Sequence, residues 1–247
     1  MVKLVSVVRD FEMYRQCIAD NPCTRGCELV TIDNTAANLP VTVQYNRFLD
    51  TLKEECWVCF CHEDWKPGED LASVIETLDP SCLHGPVGVF VEERSNRDII
   101  VPRGHVFQTR KDGKRPVEIT GKDIVGRVDT FDCQCLIVHS SVVDKYALRF
   151  DEKLSFDMYV EDFCVAAYER YGIESRTADI PCTHCSAGKL SGRFFDSLEY
   201  IRNKYSVSKK RYATIVGHLN TFGGNPSRPV FKWKRIPHVK LLYRLAR

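Results

Sequence analysis

The chain has 247 residues, 44% of them hydrophobic, a length that suits one large α/β domain or two small ones. No window approaches the roughly 18 uninterrupted apolar residues of a transmembrane helix, and the short apolar run in MVKLVSVVRDF meets charges too early for a signal peptide, so we expect a cytoplasmic protein. The net charge of +2 conceals an asymmetry, because residues 201–247 hold 12 Lys and Arg and no Asp or Glu.

Short apolar runs alternate with amphipathic stretches along the chain. The predicted core strands are Lys3–Val8, Glu28–Ile32, the apolar run that opens Cys56–Trp65, Gly85–Val91 and Ser175–Ile180, and Val128–His139 resumes the core. The predicted helices are Phe11–Ala19, Val43–Lys53, Leu71–Leu78, Tyr159–Tyr171 and Leu190–Tyr205. This alternation predicts a three-layer α/β fold with a mainly parallel central sheet over residues 1–200, followed by a basic helical tail over 201–247. The polar residues 95–118 predict a hairpin insertion, which either decorates the sheet or forms part of a substrate wall.

The stretch Cys56–Trp65, CWVCFCHEDW, joins a nearly all-apolar run to His62, Glu63 and Asp64. A run of that length before a Pro/Gly turn indicates a strand buried on both faces of a parallel sheet. The cluster then lies at the strand's carboxyl end, where open α/β sheets bind ligands. Three ionisable groups so close together repel one another, and a divalent cation is the usual compensation. The alternative is that they cap the next turn.

The twelve cysteines are scattered through apolar runs, which favours reduced, buried thiols. Two spacings leave a closed tetrahedral zinc site open as an alternative. The residues concerned are Cys56, Cys59, Cys61 and His62 in one stretch, and Cys182, His184 and Cys185 in another.

Taken together, these segments resemble a known family. VSVVRD, LVTIDNT, YNRFLD, WVCFCHEDW, YVEDF and PCTHCSAG are similar in order and spacing to the family 2-like nucleotide-sugar glycosyltransferases with the GT-A fold, over about residues 3–190. The resemblance implies a Rossmann-like α/β/α GT-A fold. It also implies transfer of a sugar, hexosyltransferase-like, from a nucleoside-diphosphate sugar to a glycan or lipid-linked acceptor.

The resemblance further implies a metal site. The family's strand-end motif is usually Asp-x-Asp, and His62–Asp64 stands in its place, which leaves Asp64 as the best supported ligand of Mn²⁺ or Mg²⁺, with His62 or Glu63 assisting. An imidazole ligand favours Mn²⁺. His184 looks like the family's carboxyl-terminal metal- or diphosphate-binding histidine, although a lone His in a loop is often a surface residue. Ser186, Gly188 and Lys189 beside it are candidates for phosphate contacts.

The same comparison assigns a base and a nucleotide pocket. Asp162, preceded by Glu161, matches the family's base position, and a single positioned base implies inversion at the anomeric carbon. Acids at a helix amino terminus are also favoured by the helix dipole alone. The candidate nucleotide-binding residues, each of which is alternatively an ordinary turn or helix residue, are Arg9, Asp10, Asp33, Asn34, Asn46 and Glu63.

The basic segment Lys232–Arg247 mixes cations with apolar residues, which is typical of a surface that meets anionic lipid at the inner face of a membrane. A helix packed on its own domain is the alternative. Nucleic acid is not expected as a partner, because the rest of the chain is acidic and carries no recognised binding motif. Two other functions compete: a non-catalytic zinc-stabilised module, and a nucleotidyltransferase. The latter should have a Gly-rich phosphate loop after the first strand, and Val7–Arg15 contains no glycine.

Overall fold

The computed structural model of the protein describes residues 1–94, 97–109, 117–121, 123–185, 191–215 and 217–219. Within these ranges, fifteen strands form two large sheets and a short two-stranded ribbon. Numbered in chain order, the strands are β1 (Val2–Val8), β2 (Cys27–Asp33), β3 (Trp57–Cys61), β4 (Trp65–Pro67), β5 (Leu83–Gly85), β6 (Val87–Arg94), β7 (Arg97–Gln108), β8 (Val117–Thr120), β9 (Gly126–Val128), β10 (Thr130–Phe131), β11 (Cys135–His139), β12 (Ser175–Thr177), β13 (Cys182–His184), β14 (Ala213–Thr214) and β15 (Gly217–His218). The α-helices are α1 (Phe11–Tyr14), α2 (Val41–Thr51), α3 (Leu71–Ile75), α4 (Ser140–Tyr146), α5 (Tyr159–Tyr171) and α6 (Gly192–Lys204). Helix α1 continues as a π-helix over Arg15–Ala19, and a 3₁₀ turn follows at Pro22–Thr24.

The first sheet has seven strands in the order β2, β1, β3, β11, β5, β12, β9. Strand β1 runs parallel to both β2 and β3, and β12 runs parallel to β5, whereas the other three pairings are antiparallel. The predicted parallel centre is therefore present in β2, β1 and β3, and β11 joins it in the opposite direction. The protein is a mixed α/β protein, and the three-layer GT-A arrangement stays a prediction.

Both faces of the first sheet are buried, as the apolar runs of β1 and β3 require. Successive side chains point to opposite faces: Val58 and Phe60 belong to one hydrophobic core, and Trp57, Cys59 and Cys61 belong to the other. Residues of α2, α4, α5 and α6 pack in the first core, and residues of α1, its π-helical continuation and α3 pack in the second. The sheet therefore lies between two sets of helices.

The chain changes sheets at two of the predicted strands. Strand β3 ends at Cys61, where the predicted apolar run meets His62–Asp64, and these residues form a turn in which the Trp65 amide donates to the His62 carbonyl at 3.1 Å. Trp65 then begins β4 of the second sheet and is fully buried. Gly85–Val91, predicted as one strand, divides at Pro86 into β5 of the first sheet and β6 of the second. The helix predicted over Tyr159–Tyr171 is α5, with the same bounds.

The second sheet has the order β10, β6, β7, β13, β4, with β8 also paired to β7. Its long β6–β7 hairpin is the insertion predicted over 95–118, although its first strand already begins at Val87. Gly104, at φ +80°, ends the pairing of β7 with β6, and a Cβ there would lie 1.9 Å from the Pro86 carbonyl oxygen. Beyond Gly104, β7 pairs antiparallel to β8 and parallel to β13. The predicted insertion therefore supplies much of the second sheet.

The first part of the predicted tail continues the main core. Tyr205, Tyr212 and Leu219 are buried in the same hydrophobic core as α5. The basic segment Lys232–Arg247 lies outside the described residues, so membrane contact through it stays a prediction. Across the described part of the chain, none of the helices has the length and apolar character needed to cross a bilayer.

Candidate active site

A cavity of about 570 Å³ opens at the carboxyl ends of β1 and β3, next to the loop that follows β2. Three parallel strands that end at one edge bring their following loops together, which is why this edge gathers polar side chains. Six of the residues predicted from the sequence line the cavity: Arg9, Asp10, Asn34, His62, Glu63 and Asp64.

At the cavity, His62, Asp64 and His184 form a compact cluster, each side chain offering one ligand atom within 4.8 Å of the others. His184 Nε2 lies 3.3 Å from Asp64 Oδ2, and His62 Nδ1 lies 4.0 Å from Asp64 Oδ1. The three side chains are only 10%, 14% and 13% exposed, in chain order. His184 reaches the cluster because β13 pairs with β4, directly opposite Trp65.

The two imidazoles have opposite pKa shifts. Burial lowers the pKa of His62, so that its ring is neutral at pH 7. Burial also acts to lower the pKa of His184, but the adjacent Asp64 carboxylate outweighs it and the pKa of His184 is raised. The cluster therefore joins a neutral imidazole, a carboxylate and an imidazole whose protonated form that carboxylate stabilises.

The donor set suits a divalent transition metal. Among the described residues, the buried His62 Nε2 atom has no hydrogen-bond partner, and a buried unpaired nitrogen is costly unless something binds it. The His62 ring stacks on Phe156, with centroids 4.9 Å apart and planes 19° apart, which limits its rotation. Two imidazoles and a carboxylate are ligands that Mn²⁺ accepts, and Mg²⁺ would prefer oxygen alone.

Glu63 stabilises the loop that follows β1. Its Oε2 atom accepts hydrogen bonds from the backbone N–H groups of Arg9, at 2.5 Å, and Asp10, at 3.0 Å. Asp10 in turn accepts from the Met13 N–H and caps α1. Glu63 and Asp10 therefore shape the loop after β1, and only the Arg9 side chain among these three has no such structural bond in the described residues.

The other predicted nucleotide-binding residues are less well placed. Asn34 lines the cavity, but its side chain accepts from the Leu39 N–H and donates to the Leu39 carbonyl, which closes the loop after β2. Asp33 is exposed and lies outside the cavity lining, and its hydrogen bonds from Thr35 lower its pKa. Asn46 bonds to the backbone of Phe150 and to Glu152, which ties α2 to the segment before α5. The structure does not bring Asn46 to the site.

The adjacent acids of α5 point to different surroundings. Asp162, the predicted base, is paired with Lys204 at 2.8 Å and accepts from the Tyr205 hydroxyl at 2.8 Å. Burial raises its pKa, although Lys204 and Tyr205 oppose that effect. The structure therefore places Asp162 in an ion pair with α6 and outside the cavity lining.

Glu161 is 5% exposed, and its Oε2 atom has no hydrogen-bond partner among the described residues. Burial, together with the carboxylates of Asp132 and Asp157, raises the pKa of Glu161 well above its ordinary value. Asp132 and Asp157 also act to raise the pKa of His62, so both groups feel the same two carboxylates. Glu161, like Asp162, is absent from the residues that line the cavity.

Arg193 and Phe156 are among the cavity-lining residues that were not predicted from the sequence. Arg193, in the first turn of α6, lines the cavity, pairs through Nε with Asp157 at 2.6 Å and lies over the Phe156 ring. Phe156 separates this guanidinium from His62. Neither residue belongs to a recognisable sequence motif. The only local signal is that Phe156 is followed by an acidic residue, Asp157, in the segment before α5. Ser186, Gly188 and Lys189, predicted to meet phosphate, lie outside the described residues.

The cysteines do not assemble a zinc site in the described part of the chain. Cys59 and Cys61 remain inside β3, with Cys59 Sγ 3.6 Å from Cys135 Sγ and Cys61 Sγ 3.2 Å from Ser6 Oγ. The group of potential metal ligands found in that part is His62, Asp64 and His184, and it contains no thiol. The cysteines of the two spacings are free thiols, buried at Cys56, Cys59, Cys61 and Cys182 and partly exposed at Cys185.

The known proteins that are similar to this chain are found among solved structures. No protein-family model matches the chain, and no curated protein matches it. Among solved structures, S. aureus TarS is similar at 11% identity and a TM-score of 0.44, with 85% of this chain and 40% of that chain covered. TarS 1–349 gives 12% identity, a TM-score of 0.44 and coverage of 85% and 66%. Its complex with UDP-GlcNAc gives 12%, 0.42, and coverage of 85% and 67%.

This chain thus spans about 40% of the longer TarS chain and about two thirds of the shorter TarS structures. Since every TM-score is below 0.5, neither the ligand nor the activity of TarS is transferred to this chain.

Proposed function

We propose that the protein is a glycosyltransferase that transfers a sugar from a nucleoside-diphosphate sugar to a hydroxyl of a glycan or lipid-linked acceptor. The observation that carries the proposal is the His62, Asp64 and His184 cluster at the carboxyl edge of the parallel strands. The order of the sequence motifs supports the same class.

The cavity offers complementary groups for the donor. The loops after β1 and β2 border it on one side, and Arg193 borders it on another. Arg193 uses Nε for Asp157, and the described residues give its two Nη nitrogens no partner. A guanidinium fork of this kind suits phosphate oxygens. We therefore assign the donor's diphosphate to the space between Arg193 and Asp64.

His62, Asp64 and His184 would hold the divalent cation. Bound there, Mn²⁺ or Mg²⁺ would supply Lewis-acid stabilisation of the negative charge that grows on the departing diphosphate. The protein's own contribution is to present the three side chains from a turn and a strand that belong to packed sheets, so that little reorganisation is needed.

Glu161 is proposed as the general base in place of Asp162. The acceptor oxygen forms a bond to the anomeric carbon while the bond from that carbon to the diphosphate oxygen breaks, and the bonding pair leaves with the nucleoside diphosphate. The hydroxyl proton passes to Glu161. A buried carboxylate with a raised pKa is a stronger base than an exposed one, and attack from the face opposite the leaving group inverts the anomeric centre.

The proposal is tested by a thermal-shift screen of nucleoside-diphosphate sugars, each with and without Mn²⁺, because a ligand that binds only the folded state raises the melting temperature. We expect at least one donor to stabilise the protein in a Mn²⁺-dependent manner, and Asp64→Ala to abolish that dependence. Release of nucleoside diphosphate from the selected donor, with a panel of glycan acceptors, should then be lost in Glu161→Gln. Absence of metal-dependent stabilisation by every donor would refute the assignment.

A further inference from the structure

His184 has a neighbour from the hairpin insertion. Strands β13 and β7 run parallel, and His184 is in register with Gln108, the last residue of β7. His184 Nδ1 lies 3.0 Å from Gln108 Oε1. The imidazole is therefore held at both nitrogens, by Gln108 on one side and by Asp64 on the other.

The orientation of the Gln108 amide follows from its other contacts. Gln108 Nε2 lies 3.4 Å from the Thr109 carbonyl oxygen and 3.5 Å from the His184 carbonyl oxygen. A carbonyl oxygen only accepts hydrogen bonds, so the NH₂ group must face these two atoms. The amide oxygen is then directed at the His184 ring, where it too can only accept.

The tautomer of His184 is thereby determined. Because Gln108 Oε1 accepts, Nδ1 must carry the hydrogen, and in the neutral ring the lone pair is on Nε2. Nε2 is the atom that faces Asp64 Oδ2 at 3.3 Å. Asp64 Oδ2 can only accept or bind a cation, so Nε2 faces it either with a second hydrogen, in the charged ring, or with its lone pair on a cation that lies between the two atoms.

We propose that Gln108 is a positioning residue for a divalent cation: it holds His184 in the Nδ1–H tautomer with Nε2 presented beside Asp64. The inference rests on the proposed metal-dependent function and extends it to the hairpin, since a strand of that hairpin selects the ligand atom. Outer partners that orient a metal-binding imidazole in this way commonly contribute 10- to 100-fold to metal affinity.

The first experiment reads the His184 ring of the wild-type protein directly. In protein labelled with ¹⁵N-histidine, two-bond ¹H–¹⁵N spectra at pH 9 without metal distinguish Nδ1–H from Nε2–H rings, and His184→Ala identifies the signal among the seven histidines. We expect the Nδ1–H tautomer for His184, which is the less common form in free imidazole side chains. An Nε2–H signal would overturn the proposal.

The second experiment measures Mn²⁺ binding alone, by the loss of the free-ion electron paramagnetic resonance signal. Gln108→Leu should weaken Mn²⁺ binding about 10- to 100-fold, whereas Gln108→Glu, which keeps an acceptor for Nδ1, should retain most of the affinity. Gln16→Leu, at an exposed glutamine of the π-helix, is the matched control and should bind as the wild type does.

The binding measurements distinguish an incorrect metal site from an incorrect role for Gln108. If Asp64→Ala and His184→Ala both bind Mn²⁺ as tightly as the wild type, the metal site itself is wrong. If those variants lose Mn²⁺ while Gln108→Leu keeps wild-type affinity, only the role of Gln108 is refuted. Should Gln108→Leu not fold, the wild-type tautomer and the Gln108→Glu affinity still decide the matter.

Discussion

Replacement of Glu161 by Gln should make the protein more stable and less active. The wild-type carboxylate is buried, one of its oxygens has no partner in the described residues, and Asp132 and Asp157 add repulsion. A glutamine has nearly the same shape and carries no charge. The substitution therefore removes an uncompensated charge without opening a cavity.

The size of the gain follows from the burial of that oxygen. An unsatisfied buried polar group costs about 1–3 kcal/mol, and more when it is charged. For a chain of this length, about 1 kcal/mol shifts the melting temperature by roughly 2–4 °C. We expect Glu161→Gln to raise the melting temperature by about 2–12 °C at pH 8, with turnover reduced about 10²- to 10⁴-fold if Glu161 is the base.

The effect must depend on pH in one direction. Because the pKa of Glu161 is raised on folding, the folded state holds a proton that the unfolded state releases, and the stability associated with this group is lost as pH rises through the folded pKa. Below the unfolded pKa, about 4.3, both states carry the neutral acid and the variant should match the wild type.

Melting curves of the two proteins between pH 4.5 and pH 8, with exposed Glu55→Gln as the control, measure this difference. A difference that stays flat across that range, or a variant that melts lower at pH 8 and turns over at the wild-type rate, would show that Glu161 is an ordinary packed side chain.

Three other substitutions separate structural from binding roles. Lys204→Met should lower the free energy of unfolding by about 3–5 kcal/mol in urea titrations, because it leaves Asp162 buried and unpaired; a deficit that did not shrink toward low pH, where Asp162 is protonated, would contradict this. Arg193→Ala should weaken binding of a nucleoside diphosphate about tenfold in calorimetry and leave binding of the nucleoside unchanged. An equal loss in the control variant Arg149→Ala would argue against a specific role of Arg193 in diphosphate binding. Asn46→Ala should lower the free energy of unfolding by about 1–3 kcal/mol and leave nucleotide affinity unchanged. A loss of nucleotide affinity without a loss of stability would instead indicate that Asn46 contacts the nucleotide.

The sequence predicts the first sheet well where burial dominates. Strand β1 and the apolar part of β3 are buried on both sides, so their composition alone identifies them. It also places His62 and Asp64 at the end of a central strand, where the structure has them. What it misses is the second sheet: the turn at His62–Asp64 and the break at Pro86 redirect the chain through tertiary pairing, which leaves little local signal.

The limits of the sequence are clearest in α5. Glu161 and Asp162 are neighbours, and successive helical residues point about 100° apart. Nothing in YVED says which of them pairs with α6, because that choice depends on Lys204, far along the chain. Gln108 was missed for a similar reason, since its partner His184 is 76 residues away.

The β6–β7 hairpin offers a natural boundary for chimeric proteins. From Asp98 to Gln108 the chain advances ten residues, a path of up to about 33 Å at 3.3 Å per residue, and its direction changes at Gly104. Grafts that replace the outer arm, before Gly104, leave the β7–β13 register untouched, whereas a one-residue deletion between Gly104 and Gln108 would place Thr109 opposite His184. Exchange of the hairpin segment before Gly104 should therefore leave the candidate site intact, whereas a change of length after Gly104 should disrupt it.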